Sequence, residues 1–303
     1  MAWDLLAASN DSRDNKVMTK NILVTGATGT IGREVTKRLA AQGASTRAGV
    51  RDRTKAREQF SDEIELMPFA FEDKRLFADA LEDVEKIFLL PPLMPNQVEV
   101  TNAFVDAAQS AGVQHIVKLS AIGVETETFT AGGWHAANER HIRNSGLAFT
   151  FLRPNSFMQN FINYFPPRDG VIYLPWGNGK ASFVDARDIA TVAARALTHE
   201  AHKNKIYTLT GPAALSIDEV ARTLSQVAGR EIKYVDVPES AARDAMLNAG
   251  MAEWQVDLLM ELHAINKQSR WSAITSDVQE VIGKPPIDFR EFARDHAEKF
   301  RYE

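Results

Sequence analysis

Along the chain, short runs of consecutive apolar residues alternate with segments in which apolar residues recur every three or four positions. This pattern predicts alternating strands and helices. Near-continuous apolar runs such as 22–24 predict strands buried on both faces, and apolar residues three or four apart predict the helices between them. The pattern therefore predicts an α/β fold, a doubly wound parallel sheet with helices on both faces. The predicted strands are 22–25, 45–50, 64–66, 87–90, 116–119 and 149–152, and the predicted helices are 31–39, 55–60, 76–81, 98–111 and 134–144.

A glycine-rich turn separates the first predicted strand from the first predicted helix. It reads TGATGTIG and offers six candidate contacts to a bound dinucleotide: Gly26, Thr28, Gly29, Thr30, Ile31 and Gly32. In a Rossmann fold such glycines allow a tight turn, close approach to the pyrophosphate and packing of helix on strand, and the helix N-terminus attracts the negative charge. A glycine turn without a ligand is the alternative, but the flanking strand and amphipathic helix favour nucleotide binding.

The regular alternation ends after the sixth predicted strand. Residues 155–180 mix aromatic residues with proline and glycine, which predicts an irregular segment over a cleft. We interpret the chain as an N-terminal extension over 1–17, a nucleotide-binding core over 18–155, and a smaller, mainly helical substrate-binding lobe over 156–303 that is interwoven with the core. The helices predicted in this lobe are 189–197, 217–227, 240–247, 254–264 and 289–300, with short strands at 206–209 and 232–235.

The end of the second predicted strand indicates the cofactor. Arg51 follows Gly32 by 19 residues, at the place where an arginine accepts the 2′-phosphate of NADP and an acidic residue grips the ribose of NAD. A planar guanidinium suits a phosphate, so the sequence favours NADP(H). Asp52 is adjacent and would reach a ribose if the register differed by one residue.

Composition narrows the class of partner. The 303 residues carry 35 Lys and Arg against 40 Asp and Glu, a net charge of −5, which gives no electrostatic reason to expect nucleic acid or an anionic membrane. No apolar run approaches the ~18 residues of a membrane span, and residues 1–17 lack the features of a secretory signal. The chain has no cysteine, which excludes disulfides and thiol nucleophiles. We therefore expect a cytoplasmic protein with a small hydrophobic substrate, and a homodimer or a partner protein stays open.

Stretches over most of the chain resemble the NmrA-like group of atypical short-chain dehydrogenases, and more distantly the isoflavone reductases. The NmrA-like group includes NADPH-dependent quinone and triphenylmethane reductases as well as redox-sensing regulators. The resemblance implies that Leu90, Pro91 and Lys118 line the nicotinamide side and that Phe71 lies near adenine. Ala70 stands where relatives often carry an acidic residue, which puts polar recognition of the adenine edge in doubt. The matching stretches are TGATGTIG, VRDRTKA, FEDKRLFADAL, HIVKLSAIG, HAANERHIRNSGLAFTFLRPNSFMQN, FVDARDIA, LTGPAALSIDEVA and DFREFARDHAEKF.

The chain lacks the Tyr-x-x-x-Lys pair of ordinary short-chain dehydrogenases. The corresponding helix offers His135, eleven residues before Gly146, where isoflavone-type reductases carry a catalytic lysine. Histidine is a suitable proton donor near neutral pH, so His135 and Ser120 are the catalytic candidates. The alternative for His135 is a solvent-exposed pair with Glu139 four residues later.

Other polar residues point to structural roles. Asp185 and Asp188 are predicted to cap the helix that starts near residue 186. His199 and His202 lack a third ligand, so no metal site is predicted. Three residues after the sixth predicted strand fit either the core or a pocket wall: Phe157, Met158 and Phe161.

Two functions of different class fit these observations. The first is an NADPH-dependent reductase that transfers hydride to a hydrophobic conjugated acceptor, such as a quinone or an aromatic compound; the aromatic segment 157–176 beside the nucleotide site suits a flat substrate. The second is a non-catalytic NADP(H)-binding redox sensor, suggested by the missing Tyr-x-x-x-Lys pair. The sequence favours the enzyme.

Overall fold

The computed structural model describes residues 21–301, so the predicted N-terminal extension lies outside the described residues. Seven of the strands form one parallel sheet, in the order β3-β2-β1-β4-β5-β6-β9. The strands are β1 (Asn21–Val24), β2 (Thr46–Val50), β3 (Glu65–Pro68), β4 (Val84–Leu89), β5 (His115–Leu119), β6 (Ala148–Pro154), β7 (Val171–Leu174), β8 (Lys180–Ala181), β9 (Lys205–Leu209), β10 (Leu215–Ser216) and β11 (Lys233–Asp236).

Helices connect these strands and cover both faces of the large sheet, which confirms the predicted doubly wound fold. In chain order they are α1 (Thr30–Ala41), α2 (Arg53–Arg57), α3 (Phe77–Leu81), α4 (Gln97–Ser110), α5 (Thr130–Asn144), α6 (Asn160–Asn163), α7 (Ala186–Thr198), α8 (Ile217–Ala228), α9 (Glu239–Asn248), α10 (Glu253–Lys267), α11 (Asp277–Ile282), α12 (Phe289–Asp295) and α13 (Glu298–Arg301).

The strand order reverses direction at β1 and β4. Strands β2 and β3 lie on one side of β1, while β4, β5, β6 and β9 follow on the other. In open sheets of this kind a ligand binds in the crevice at the carboxyl ends of the strands where the order reverses. Residues that follow β1, β4 and β5 therefore border the binding crevice.

The sheet separates two apolar layers. On one face α1 and α7 pack against each other and on the sheet, with Val35 and Ile189 fully buried. On the other face α3, α4 and α5 cover the sheet, and Phe104 packs at the centre of a cluster of aromatic rings. Near-continuous apolar strands are needed because both faces are covered.

The second half of the chain contributes to the core and also builds a lobe of its own. Strand β9 is the seventh strand of the large sheet, where it pairs with β6 in parallel. The lobe has a separate apolar cluster around Phe161, Phe183 and Phe292, and two small sheets, β7 with β11 and β8 with β10.

Some lobe elements differ from the prediction. The segment expected to be irregular contains β7, which the sequence hides because its pairing partner β11 lies some sixty residues later. The helix predicted over 289–300 is two helices, because His296 leaves helical backbone angles at φ −116° and ψ 24°. Helix α11 was not predicted from the sequence.

Candidate active site

The glycine turn forms a cradle at the carboxyl end of β1. Gly26 has a left-handed backbone with φ of +61°, and a Cβ atom on Gly32 would lie 2.2 Å from the Gly26 carbonyl oxygen. Gly29 occupies the N-cap position of α1 and offers no side chain to the first N–H groups of the helix. These N–H groups and the positive end of the helix dipole are therefore available to an anion.

The remaining predicted residues of this turn have different exposures. Thr28 is exposed, Thr30 is half-buried and Ile31 is buried in the core beneath the turn. Asn163 from the lobe donates its side-chain N–H to Thr30 Oγ1 at 3.5 Å, so the lobe reaches the start of α1.

A buried threonine ties the glycine turn to the end of β4. Thr25 Oγ1 accepts the backbone N–H of Leu90 at 2.8 Å and donates to the Phe88 carbonyl oxygen. A Cβ atom on Gly26 would lie 3.3 Å from Leu90 Cδ2, so the first glycine and Leu90 are in close approach. Pro91, which follows, is buried. The glycine turn after β1 and the Leu90–Pro91 segment after β4, both predicted to contact the nucleotide, are thus fixed relative to each other.

At the end of β2 the two candidates for recognising the adenosine ribose have different partners. The Arg51 side chain is 73% exposed and lies 3.5 Å from a carboxylate oxygen of Glu72. Asp52 is the N-cap of α2, where its carboxylate accepts the backbone N–H of Lys55. Asp52 is therefore engaged by its own helix, and Arg51 is the more available side chain.

Phe71, the residue expected near adenine, belongs to the apolar cluster around Phe104. Its ring is buried and packs edge-on against Phe69 and Phe104, at centroid distances of 4.9 and 5.5 Å. The structure thus shows Phe71 as a core residue, and its position near adenine stays a prediction.

A buried lysine contacts the predicted catalytic histidine. Lys118 on β5 is fully buried, and its Nζ lies 2.9 Å from Nδ1 of His135 and 3.3 Å from the carbonyl oxygen of Leu119. Burial lowers the pKa of Lys118 to about 7, an effect that the Glu139 carboxylate opposes. Burial and the neighbouring lysine charge hold the pKa of His135 well below its usual value. His135 is therefore a neutral imidazole near neutral pH.

Ser120 belongs to a second polar group beside this pair. Its hydroxyl donates to Glu139 Oε1 at 2.6 Å, and Arg153 donates to both oxygens of the same carboxylate, at 3.1 and 2.6 Å. Burial acts to raise the pKa of Glu139, but the hydrogen bonds from Arg153 and Ser120 outweigh it and the pKa lies below its usual value. Glu139 thus pairs with Arg153 and Ser120, and the surface pair with His135 considered from the sequence is absent among the described residues.

A pocket opens between α5 and α10, and Trp134, the residue before His135 in α5, forms part of its wall. Its volume is about 530 Å³. Glu261 of α10 accepts both the backbone N–H and the hydroxyl of Thr130, at 2.7 and 2.9 Å, and so fixes the start of the helix that carries His135. The lining residues are Pro95, Thr130, Trp134, Trp254, Asp257, Leu258, Met260 and Glu261.

The aromatic segment expected to cover the cleft is mostly core. Phe161 and Met158 are buried in the lobe cluster, and Trp176 is buried with its Nε1 donating to His263. Phe157 is half-buried against the core, whereas Tyr164 is exposed. The expectation that residues 157–176 supply the flat wall of the acceptor site is therefore wrong for these buried rings, because they pack against the lobe's own elements.

The predicted helix caps are confirmed for one residue and wrong for the other. Asp185 accepts the backbone N–H of Arg187 as the N-cap of α7. Asp188 instead accepts the backbone N–H of Ile287 at 2.7 Å and holds the C-terminal segment against α7. Among residues 21–301, no group of three His, Asp or Glu side chains is arranged to hold a metal ion. None of the helices in that range has the length and apolar content needed to cross a bilayer.

Comparison with known proteins assigns the family. The model of the NmrA-like family matches residues 18–268, which is most of the chain and includes every residue of the site described above. The chain belongs to the NmrA-like family. The matched range includes the glycine turn at the start of α1 and most of the lobe that follows the core.

Several known proteins are similar to this chain over nearly all of its length. It is 40% identical to an NAD(P)H azoreductase of Xenophilus azovorans, over 92% of this chain and 99% of the relative. The triphenylmethane reductase of a Citrobacter species, solved with NADP(H), superposes with a TM-score of 0.81 at 26% identity, over 91% of this chain and 99% of that one. The NADPH-dependent quinone oxidoreductase of Escherichia coli, solved with NADPH, has the same fold, with a TM-score of 0.82 at 24% identity over 91% and 99% of the two chains.

Several residues of this candidate site were not predicted from the sequence. Glu139 and Arg153 carry their charge into a buried cluster, and Trp254 reaches the pocket from a helix more than a hundred residues after His135. The available signal was the Trp-His dipeptide at 134–135, which puts an aromatic residue into the same helix turn as the candidate proton donor.

Proposed function

We propose that this protein is an NADPH-dependent reductase that transfers hydride to a small, flat, conjugated acceptor such as a quinone, an azo compound or a related aromatic dye. The observation that carries the proposal is the position of the Lys118–His135 pair. It stands at the carboxyl end of β5, beside the strand ends that form the glycine cradle, and Trp134 of the acceptor pocket precedes His135 directly.

The cradle fits a dinucleotide. A side chain at Gly32 would collide with the Gly26 backbone, so the glycine keeps α1 close against the turn, and the uncapped start of α1 suits a pyrophosphate. Arg51 would hold the 2′-phosphate, since Asp52 is engaged as a helix cap. Leu90, Pro91 and Lys118 would border the nicotinamide. Bound NADPH supplies the hydride, which is the chemistry of the cofactor.

The pocket between α5 and α10 suits the acceptor. Its aromatic walls, Trp134 and Trp254, offer flat apolar surfaces on which a conjugated ring can stack. His135 would donate a proton to the acceptor, and Ser120, whose hydroxyl proton is directed to Glu139, would hold that carboxylate in place. All residues of this proposed site come from one chain.

The named relatives support the same class of reaction, because the azoreductase, the triphenylmethane reductase and the quinone oxidoreductase are all reductases. The absence of cysteine fits a reducing compartment, and we place the protein in the cytoplasm. A regulator solved with NADP shares the fold at 18% identity, which carries no evidence for a sensing role here.

Oxidation of NADPH in the presence of a quinone, an azo dye and a triphenylmethane dye tests the proposal. We expect turnover with at least one of them, and competition between acceptors for the pocket. The variant Trp254→Ala should raise KM for the acceptor and leave NADPH binding unchanged; Trp3→Ala removes a tryptophan outside the described residues and is the control. Tight NADPH binding without turnover of any acceptor, together with co-purification of a partner protein, would favour the non-catalytic sensor.

A further inference from the structure

The proposed reaction needs a proton as well as a hydride, and the protonation state of His135 creates a difficulty. Burial and the adjacent Lys118 charge hold the pKa of His135 well below its usual value, so the ring is neutral near pH 7. A neutral imidazole is a very weak acid, and loss of its N–H proton would leave an imidazolate in a buried site. His135 cannot donate alone.

The contact with Lys118 resolves the difficulty. An ammonium group can only donate, so at 2.9 Å from Lys118 Nζ the Nδ1 atom of His135 accepts, and the ring proton resides on Nε2. Among residues 21–301, Nδ1 is the ring nitrogen of His135 that has a hydrogen-bond partner, and the residue as a whole is half-buried. Lys118 itself is fully buried, and its other contact is the Leu119 carbonyl oxygen, which takes no proton. The imidazole of His135 is therefore the group that can accept the proton of Lys118.

We propose that Lys118 and His135 form a two-residue proton relay in which His135 changes tautomer. It gives its Nε2 proton to the acceptor and receives the ammonium proton of Lys118 on Nδ1. The relay rests on the proposed reductase function and names the source of its proton.

Atoms and charge balance in this step. An azo bond N=N gains the hydride at one nitrogen and the His135 Nε2 proton at the other, so that a hydrazine forms while NADPH is oxidised to NADP⁺. One N–H bond breaks at Nε2 and one forms at Nδ1, so the ring stays neutral and Lys118 becomes a neutral amine. After the product leaves, Nε2 takes a proton from the solvent and Nδ1 returns its proton to Lys118, which restores both starting states.

Charged groups from three elements face the lysine. The negative charge of Glu139 on α5 stabilises the ammonium form of Lys118, and the positive charge of Arg153 on β6 destabilises it. Arg153 is held by Glu139 and by Glu125, which precedes α5, at 3.1 Å from Arg153 Nη1. Burial dominates over these charges, so the lysine can lose a proton near neutral pH, as a relay requires.

The tautomer of His135 can be measured without catalysis. In ¹⁵N spectra of the full chain we expect His135 as the single Nε2–H tautomer, with its signals assigned by their loss in His135→Gln. Lys118→Met removes the donor to Nδ1 and should populate the Nδ1–H tautomer or raise the pKa of His135. The matched control is Lys86→Met on β4, whose Nζ is bonded to Glu200, and it should leave the signals unchanged. An Nδ1–H tautomer in the wild type would overturn the relay.

Turnover with two acceptors tests the proton transfer itself. A quinone yields a weakly basic phenolate, so Lys118→Met and His135→Gln should each reduce kcat with the quinone less than ~10-fold. An azo dye needs the proton during the transfer, so each variant should reduce kcat with the dye ~100-fold or more. The double variant should lose no more than either single one, because the two residues act in series. With the azo dye, wild-type kcat should fall above pH about 7, as the Lys118 ammonium is lost, and the variant should lack this fall.

Each alternative outcome is distinct. Equal losses with both acceptors, accompanied by weaker NADPH binding, would make Lys118 a cofactor-positioning residue and end the relay. The relay would also be contradicted if Lys118→Met kept the kcat and the pH profile of the wild type. If the wild type oxidises NADPH with no acceptor at all, the proposed function fails instead, and the tautomer measurement still decides whether the two side chains are coupled.

Discussion

Lys118 and Arg51 are two cations of the proposed site that differ in their surroundings. Lys118 is fully buried with an imidazole and a carbonyl oxygen as partners, whereas Arg51 is exposed and faces Glu72 across 3.5 Å. A buried cation is expensive and is retained where a change of protonation is useful. An exposed guanidinium keeps its charge and can exchange one anionic partner for another. The two residues therefore lead to different predictions.

For Arg51 we expect a change in cofactor selectivity. Arg51→Ala should weaken NADPH binding about tenfold, the scale of one charge-assisted hydrogen bond at an exposed site, and leave NADH binding unchanged. Glu72→Gln should tighten NADPH binding slightly, because it removes a competing carboxylate. Titration of both cofactors into each variant measures this, with Arg75→Ala, whose guanidinium pairs with Asp73, as control. Equal affinity of the wild type for NADPH and NADH would contradict the assignment.

For Lys118 we expect a pH-dependent contribution to stability. Its pKa is about 7 in the folded chain and 10.5 in the unfolded reference, so between these values the unfolded chain binds more protons and stability rises with pH. Relative to Lys118→Met, the wild type should therefore gain about 1.4 kcal/mol of unfolding free energy per pH unit in this window.

Urea unfolding of wild type and Lys118→Met at pH 7, 8 and 9 gives this difference directly. At pH 7 the variant should be the more stable protein, since it buries no charge and methionine fills a similar volume. A difference that stays constant with pH would mean that Lys118 is hydrated in the folded protein.

Among the elements, the first turns of α1 and α5 each contain a glycine, but the two glycines meet different surroundings. A Cβ atom on Gly32 would collide with the Gly26 backbone, whereas a Cβ atom on Gly133, in the helix that carries His135, would meet no atom within 4 Å. Gly32 is thus required by close packing of helix on turn, and Gly133 is not required by any contact in the described structure.

We therefore expect opposite outcomes from the same substitution in two helices. Gly32→Ala should displace the turn and reduce NADPH binding at least tenfold, with a loss of stability of ~1–3 kcal/mol from the steric overlap. Gly133→Ala should raise stability by ~0.5–1 kcal/mol, because it restricts the unfolded chain and improves helix propensity. Thermal unfolding and NADPH titration measure both. Retained NADPH affinity in Gly32→Ala would show that the turn can adjust.

The elements that could be predicted are those whose signal is local. Strands β1, β2, β4 and β5 and helices α4 and α8 follow from apolar periodicity and lie within a few residues of their predicted bounds. Strand β7 could not be predicted, since its four residues are stabilised by pairing with β11. The same limit applies to the site: the glycine turn is a local motif, whereas Glu139 meets Arg153 and Ser120 only when β5, β6 and α5 are assembled.

For the whole molecule, the order of strands in the sheet differs from their order in the chain. Strand β9 completes the sheet beside β6, although the segment containing β7 and β8 and the helix α7 come between them. Helix α7 packs on α1 from the beginning of the chain. The core therefore depends on residues from both halves, which is why the division near residue 155 describes sequence character more than separable units.

This arrangement has a consequence for synthesis on the ribosome. Until residues 205–209 have left the exit tunnel, β6 is an open edge with unpaired backbone groups, and α1 lacks the apolar cover of α7. Until then, the nascent chain exposes a strand edge and an apolar helix face, and both are surfaces to which chaperones bind. A fragment that stops at residue 155 should be recovered mainly as aggregate, whereas one that stops at residue 212 should be recovered in larger soluble yield; equal solubility of the two would show that the edge is protected in another way.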